Sequence, residues 1–213
     1  MIKDILVIIL SAFLFLSVSP VNADDKILSY KQKGAYATDH EHFIRQVFNL
    51  AISAGKNGNH TFGALLVHQG KIILTAENTV YTDNNSTHHA ETNLIAKAKR
   101  EISPEVLRQS TMYTSTAPCM FCCASIWYMD IQRIVYGVSY EALAKLTGRK
   151  DKSIPCNKLY QDTDKQLEWI GPVLEEEGLK VFCYWPQDSY RPVLLKRLKG
   201  CEKMETPRNV EPR

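Results

Sequence analysis

The sequence lacks three features that would assign it at once to a large class of proteins: a strong excess of one charge, an internal repeat and a long apolar run. Its 213 residues carry 26 Lys and Arg against 23 Asp and Glu, a net charge of +3. Nucleic-acid-binding domains usually concentrate basic residues on one face, so this weak excess gives no reason to expect a nucleic-acid partner. The absence of repeats excludes a solenoid, and the one apolar run is shorter than the about 20 residues of a membrane span.

What is present is the composition of an ordinary soluble domain. Hydrophobic residues make up 45% of the chain and charged residues 23%, a balance typical of globular proteins. A chain of this length can bury a sizeable core without a dense disulfide framework. The composition therefore predicts one globular domain.

The first 23 residues have the plan of a secretory signal peptide. Lys3 gives a charged start, residues 5–18 are apolar apart from serines, and Pro20 precedes small residues that end at Ala23. This order is typical of a signal that is removed on export. We therefore predict cleavage after Ala23 and a periplasmic or secreted protein. The alternative is a retained membrane anchor, for which the apolar run is short.

Helical and strand patterns alternate along the rest of the chain. Two β-rich runs within residues 62–78 flank the turn pair Gln69-Gly70, as in a hairpin. Strands that alternate with helices predict helices on both faces of a sheet, and the early hairpin makes that sheet mixed. We predict an α/β fold, a three-layer α/β/α sandwich with a mixed five-stranded sheet. The other predicted elements are helices at 42–58, 90–102 and from Pro118, and strands at 111–115 and 133–138.

Residues 151–213 are predicted to form a C-terminal extension that packs on this core. Within it, residues 171–186 predict a short helix followed by an extended run, and residues 188–200 predict a last helix.

Three cysteines stand together behind Pro118, in the segment Pro-Cys-Met-Phe-Cys-Cys. Proline is favoured in the first turn of a helix, and Cys119 and Cys122 would share one face of that helix. The helix N-terminus favours their thiolate forms. Cys123 lies about 100° further round the helix and is expected in the core. Taken alone, such a pair of thiols is more often redox-active or structural than catalytic.

A second motif, His89-Ala90-Glu91, favours a metal site. His89 stands where a polar loop enters a predicted helix, and 119 − 89 = 30 residues separate it from Cys119. One imidazole and two thiolates leave the fourth zinc position open, as catalytic zinc sites do. Glu91 is then close to the metal and free to move protons. The pattern H-x-E…P-C-x-x-C is the signature of zinc deaminases.

On these motifs the sequence resembles the cytidine-deaminase-like superfamily, and within it the branch of bacterial guanine deaminases, tRNA adenosine deaminases and related nucleoside deaminases. The resemblance covers about residues 36–147. It implies a zinc-dependent hydrolase that replaces an exocyclic amine with a carbonyl oxygen and releases ammonia, with residues 24–150 as its core. The matching residues are Phe62-Gly63-Ala64, Asn78, Thr87, His89-Ala90-Glu91 and Pro118-Cys119-x-x-Cys122.

The resemblance also implies roles for single residues. His89, Cys119 and Cys122 would hold Zn²⁺, and Glu91 would be the catalytic acid–base. Asn78 stands 89 − 78 = 11 residues before the metal histidine, and it would hydrogen-bond the base or sugar.

Two further residues are candidates for substrate contact. The backbone N–H of Ala90, at a helix N-terminus, could stabilise the charge that develops during the reaction. Trp185 lies in the extension, and it could stack on a base and close the pocket.

The sequence departs from the family pattern at two places. Residues 85–88, Asn-Ser-Thr-His, replace the usual Asp-Pro-Thr-Ala, and Ala117 replaces the usual Glu before Pro-Cys. His88 either touches the substrate or is solvated or packed, and the second interpretation is favoured. Both departures concern substrate binding and oligomer packing rather than the metal set.

The expected substrate is a free purine base or nucleoside, with guanine first and a cytosine-type substrate second. Bacterial guanine deaminases carry an acidic residue after the fourth strand, and Glu141 is the nearest candidate here. A tRNA substrate suits export and a modest charge poorly. The expected protein partner is a second copy of the chain, as a homodimer, with no stable membrane anchor after cleavage.

Two functions of other classes stay open. The chain could be a secreted zinc-binding protein without activity, although a structural metal site has no use for Glu91. A redox protein is the third hypothesis, and it explains neither His89 nor Glu91.

Export would place the remaining cysteines in an oxidising compartment. We expect a disulfide between Cys156 and Cys183, which would leave Cys201 free or available to a second chain.

Overall fold

The computed structural model describes residues 23–150, 153–161 and 163–201. Residues 1–22 of the predicted signal peptide lie outside the described residues. In the described part of the chain no helix is long and apolar enough to cross a membrane.

The chain divides into two units, residues 1–35 and 36–213. In the first unit the described residues form the start of a long helix, α1 (Ala23–Lys56). The helix therefore begins well before the predicted start at residue 42. All the elements that follow belong to the second unit.

A mixed five-stranded sheet forms the centre of the second unit, as predicted. In their order across the sheet, its strands are β2 (Lys71–Glu77), β1 (Gly63–His68), β3 (Thr111–Thr116), β4 (Arg133–Val138) and β5 (Glu168–Ile170). β1 is antiparallel to both of its neighbours, whereas β3, β4 and β5 run parallel. The β1–β2 hairpin turns at Gln69 and Gly70, which both have positive φ.

Helices cover both faces of this sheet, which confirms the three-layer α/β/α sandwich. On one face, α1 residues such as Phe43 and Val47 pack with Tyr113 of β3 in a buried cluster. On the other face, helices α2 and α4 bury Leu94 and Ile126 in a second cluster. The helices after α1 are α2 (Ala90–Glu101), α3 (Pro104–Gln109), α4 (Met120–Tyr128), α5 (Tyr140–Thr147), α6 (Cys156–Gln161), α7 (Glu175–Leu179) and α8 (Arg191–Arg197).

β1 begins with a glycine because α1 passes close to it. A Cβ atom at Gly63 would lie 2.7 Å from the carbonyl oxygen of Val47 and 2.9 Å from the backbone nitrogen of Ala51. The N–H of Gly63 donates to the hydroxyl of Ser115 across 3.1 Å. The start of β1 is thus fixed against the end of β3, directly before the Pro118 segment.

The C-terminal extension contributes to the sheet as well as covering it, because β5 pairs with β4. After α7, however, residues 180–184 form a 3₁₀ helix rather than the predicted extended run. Val181, Phe182 and Cys183 are all buried. A strand would turn successive side chains to opposite faces, so burial of three in a row favours the helical turn.

The disulfide prediction was wrong. Cys123 is bonded to Cys156, and Cys183 is bonded to Cys201. Cys123 is buried on the side of α4 that faces α6, where Cys156 lies. Cys183 instead meets Cys201, which lies four residues beyond the end of α8. The expected position of Cys123 in the core was correct, but it is not a free thiol.

Candidate active site

Two helix N-termini bring the predicted metal-binding residues together. His89 is the N-cap residue of α2, and Cys119 is the N-cap residue of α4. Cys122 lies one turn further along α4 and is buried. The Nδ1 atom of His89 lies 3.4 Å from the Cys122 Sγ and 3.7 Å from the Cys119 Sγ, and the two sulfur atoms are 3.6 Å apart.

These separations fit a zinc ion. With Zn–S bonds of about 2.3 Å and Zn–N bonds of about 2.0–2.1 Å, a tetrahedral site has S–S edges of about 3.8 Å and S–N edges of about 3.6 Å. The three donor atoms lie within 4.8 Å of one another, and in the described part of the chain no fourth His, Cys, Asp or Glu joins the group. The donor types and distances therefore suit a three-ligand zinc site with one open position.

The two thiols are electrostatically coupled. The hydrogen bond to Cys122 is the main cause that lowers the pKa of Cys119, to about 4. The same hydrogen bond, followed by burial, raises the pKa of Cys122. The thiolate form is therefore favoured at Cys119 rather than at Cys122, and a bound cation favours the thiolate form of both. The pKa of His89 is raised, chiefly by its hydrogen bond to Cys119.

Glu91 lies beside this group without belonging to it. Its side chain is buried in the first turn of α2. Burial raises the pKa of Glu91 to about 7, and the negative charge of Cys119 adds to the effect. A carboxyl group whose pKa lies near neutrality can both accept and return a proton. Ala90, between Glu91 and His89, is fully buried at the same helix end.

Asn78 stands directly after β2 and carries an unused hydrogen-bond donor. The residue is only 1% exposed. Its side-chain oxygen accepts from the N–H of Val80 across 3.1 Å, and its own backbone N–H donates to the carbonyl of Phe62 across 3.0 Å. Among the residues that the structure describes, the amide Nδ2 has no hydrogen-bond partner. A buried donor without a partner costs free energy, which a ligand atom can recover.

Trp185 lies in a group of aromatic rings next to the Phe62 end of β1. Its ring stacks on His60 with centroids 4.6 Å apart, and it meets Phe62 edge-on at 5.6 Å. Because Trp185 is only 5% exposed, His60 is the more accessible ring of the group. Contact between Trp185 and substrate stays a prediction.

The structure shows what surrounds His88 and Glu141. The His88 Nδ1 atom lies 2.8 Å from Asp83, and its Nε2 atom lies 2.9 Å from the side-chain nitrogen of Asn85. Both ring nitrogens thus contact residues of the loop before α2, which agrees with the interpretation that His88 packs within the protein rather than touching substrate. Glu141 is exposed in the first turn of α5, so it gives no support for guanine recognition.

Sequence reasoning missed a polar group centred on Asp188. Its carboxylate accepts from the Tyr81 hydroxyl at 3.1 Å and from the Trp185 indole at 3.0 Å, and it lies 3.4 Å from the His60 Nε2. This group ties the extension to the loop that follows Asn78. No motif marks these residues, because they come from three distant segments of the chain.

Comparison with known proteins identifies the family of this chain. Residues 37–138 match the family described as the cytidine and deoxycytidylate deaminase zinc-binding region. A probable cytosine deaminase of Schizosaccharomyces pombe is 34% identical over 148 residues, which cover 64% of this chain and 86% of that protein. The chain belongs to this family of zinc-dependent nucleobase and nucleoside deaminases, and its cofactor is zinc.

Two other relatives carry different substrate names. A guanine deaminase of Bacillus subtilis is 32% identical over 61% of this chain and 80% of that protein. A solved structure from a study of tRNA adenosine-34 deaminases is 25% identical over 66% of this chain and 98% of that chain, with a TM-score of 0.55. These relatives of the chain are thus all deaminases, and they differ in the base on which they act.

Proposed function

We propose that this protein hydrolytically deaminates a free nucleobase, with guanine as the first substrate. One observation carries the proposal: the buried carboxyl of Glu91, whose pKa is about 7, lies beside a three-donor metal group without being part of it. A structural zinc site is closed by four protein ligands and has no need of such a carboxyl.

The residues divide the chemistry between them. His89, Cys119 and Cys122 would hold zinc, which supplies the Lewis acidity that makes a water molecule reactive near neutral pH. Glu91 would take a proton from that water and deliver it to a ring nitrogen, and then assist the departure of the amine. One C–O bond forms and one C–N bond breaks, so the products are a keto base and ammonia.

Asn78 would fix the base in this site. Its Nδ2 atom can donate to a ring nitrogen or carbonyl oxygen, and no acceptor within the described segments already uses it. The backbone N–H of Ala90, at the start of α2, would stabilise negative charge on the reacting ring. Asn78 therefore selects rings that present an acceptor.

Guanine and cytosine both satisfy that requirement. His60, which stacks on the buried Trp185, is the more accessible ring of this aromatic group. A two-ring base would offer it a larger face than a one-ring base, which supports guanine. The broad match to the probable cytosine deaminase makes cytosine the second candidate.

We extend the proposal to a homodimer formed through α2 and α4. A groove of about 660 Å³ lies between these helices, and its lining includes Ile95, Ala96 and Ala124. Phe121 and Tyr128, which also line it, are 48% and 76% exposed. Small residues beside exposed rings allow two copies to fill each other's grooves through one self-complementary surface. Phe121 also packs edge-on against His89, with centroids 6.2 Å apart.

We also propose that the protein works in an oxidising compartment. The Cys123–Cys156 and Cys183–Cys201 disulfides suit the periplasm or the cell exterior, because cytosolic proteins rarely keep such bonds. This argument is independent of the apolar N-terminus.

Ammonia release tests the proposed function. The zinc-loaded protein should be incubated with guanine, cytosine and adenine and with the three corresponding nucleosides, with Glu91→Gln as a matched control. We expect ammonia from guanine above all, and from bases faster than from nucleosides. No ammonia from any of the six by a zinc-loaded protein would instead support the inactive zinc-binding alternative.

A further inference from the structure

The Asn93 side chain connects to both sides of the base-binding residue Asn78. Asn93 lies in the first turns of α2. Its amide Nδ2 atom is 2.8 Å from the carbonyl oxygen of Glu77 and 2.9 Å from the hydroxyl of Thr79. These are the two residues that flank Asn78, so one side chain contacts the backbone before Asn78 and the side chain after it.

The same amide also reaches the metal-binding segment. Its Nδ2 atom lies 3.4 Å from the carbonyl oxygen of His88, the residue before His89. The loop between the two segments closes at this point, because the N–H of Thr79 donates to that His88 carbonyl across 3.0 Å. Asn93 therefore contacts both ends of the loop formed by residues 79–88, at Thr79 and at His88.

Helix formation alone does not explain an asparagine here. Asn is a weaker helix former than Ala or Leu, because its side chain competes for backbone hydrogen bonds. The backbone N–H of Asn93 is already satisfied by the carbonyl of His89 at 2.9 Å. The side-chain amide thus hydrogen-bonds the segments that flank the loop rather than the backbone of α2.

We infer that Asn93 is a positioning residue that fixes the amide of Asn78 relative to the ring of His89. The part that concerns Asn78 rests on the proposed function. Loss of the bridge would free the end of β2 from the start of α2. The base would then be held less tightly and zinc would leave faster, while turnover in the saturated, zinc-loaded enzyme would change little.

The test compares two Asn→Asp substitutions. Asn93→Asp keeps the size of the side chain but removes both N–H donors. Asn85→Asp makes the same change in the loop that Asn93 bridges, where the Asn85 side chain hydrogen-bonds Thr87 and His88 but neither neighbour of Asn78. Zinc transfer to a chromogenic chelator is measured without substrate, and KM and kcat are measured with guanine and cytosine.

For Asn93→Asp we expect zinc transfer about tenfold faster and KM about tenfold higher than for Asn85→Asp, as loss of a hydrogen bond worth about 1.4 kcal/mol implies. The kcat per bound zinc should stay within about threefold of wild type. Asn93→Ser keeps a hydroxyl donor on a shorter side chain, so its zinc-transfer rate and KM should lie between those of wild type and Asn93→Asp. It replaces Asn93→Asp in the comparison if that variant does not fold.

Equal zinc-transfer rates and equal KM values in the two Asp variants would show that Asn93 only stabilises the fold, and the inference would be wrong. If the wild type releases no ammonia from either base, the proposed function fails. The zinc-transfer rates then still decide whether Asn93 positions His89.

Discussion

The Tyr81 hydroxyl donates to the Asp188 carboxylate across 3.1 Å, although 107 residues separate them in the chain. Tyr81 follows Asn78 by three residues, and Asp188 belongs to the C-terminal extension. This one contact joins the extension to the loop that leads from the predicted base-binding residue to the metal-binding one. Burial and the charge of Asp188 raise the pKa of Tyr81 to about 12, so its hydroxyl remains a donor throughout the physiological range.

Removal of the Asp188 carboxylate should destabilise the protein. Asp188→Ala would leave the Tyr81 hydroxyl and the Trp185 indole N–H without their acceptor. We expect a loss of about 2–3 kcal/mol in the free energy of unfolding, since one unsatisfied buried polar group costs about 1–3 kcal/mol. Urea unfolding measures this loss. The exposed Asp164 provides the control, and a similar loss in Asp164→Ala would contradict the assignment.

The contribution of Asp188 should also depend on pH. Burial opposes its ionisation, but hydrogen bonds from His60, the Tyr190 backbone, Trp185 and Tyr81 outweigh burial, so its pKa lies below the ordinary value of 3.8. A lowered carboxyl pKa stabilises the folded state fully above the unfolded-state value, and this stabilisation is lost as the pH falls through the folded-state value.

The stability difference between wild type and Asp188→Asn should therefore be constant above about pH 5 and shrink below about pH 4. Unfolding curves in urea between pH 3 and pH 7 measure it. A difference that grows as the pH falls would contradict the direction of the pKa shift.

Glu91→Gln should separate proton transfer from metal binding. The variant should fold and keep about one zinc per chain, because Glu91 is not a metal ligand. Its deaminase rate should fall by at least ~10²-fold, the lower end of what a positioned general acid–base contributes. Metal analysis and ammonia release measure the two properties. Cys122→Ala is the contrasting variant and should lose the zinc; loss of zinc from Glu91→Gln would make Glu91 a ligand.

The two disulfides should differ in their effect on the metal site. They close loops of 33 and 18 residues, for which chain entropy predicts about 3.7 and about 3.2 kcal/mol of stabilisation. Replacing either pair by alanines should therefore lower stability to a similar extent. Cys123 is the neighbour of the zinc ligand Cys122 in α4, so the Cys123–Cys156 bond restrains the helix that carries this ligand. Only loss of this bond should speed zinc transfer to a chelator. Equal zinc transfer from both double variants would show that the Cys123–Cys156 bond does not support the site.

The proposed dimer predicts a specific effect of charge in the α2–α4 groove. Phe121→Glu should yield monomers, because a carboxylate would be buried unpaired in the interface. Light scattering after gel filtration gives the mass in solution. Ile154 is 51% exposed away from this groove, and Ile154→Glu should leave the dimer intact. A wild-type monomer at micromolar concentration would rule out this interface.

The metal group was predictable because its signals are local. Pro118 and the spacing of Cys119 and Cys122 define a helix start, and His89 with Glu91 defines another. The disulfide partners were not predictable, because Cys123 meets Cys156 only through the packing of α4 against α6. The Asp188 group was missed for the same reason, since tertiary packing alone brings its members together. The 3₁₀ helix at residues 180–184 was missed because its apolar residues have β propensity, which burial of successive side chains overrode.

The antiparallel placement of β1 in the sheet has a consequence for changing the substrate. β1 runs antiparallel to both of its neighbours. The start of β1 therefore lies beside the end of β2 and the end of β3, at one end of the sheet. The predicted site residues from Asn78 to Cys119 all lie in the loops and helix starts that follow the strands at that end of the sheet. Base preference can therefore be re-engineered in the segments beyond the strand ends, while the strand interiors, which bear the stability of the fold, are left untouched.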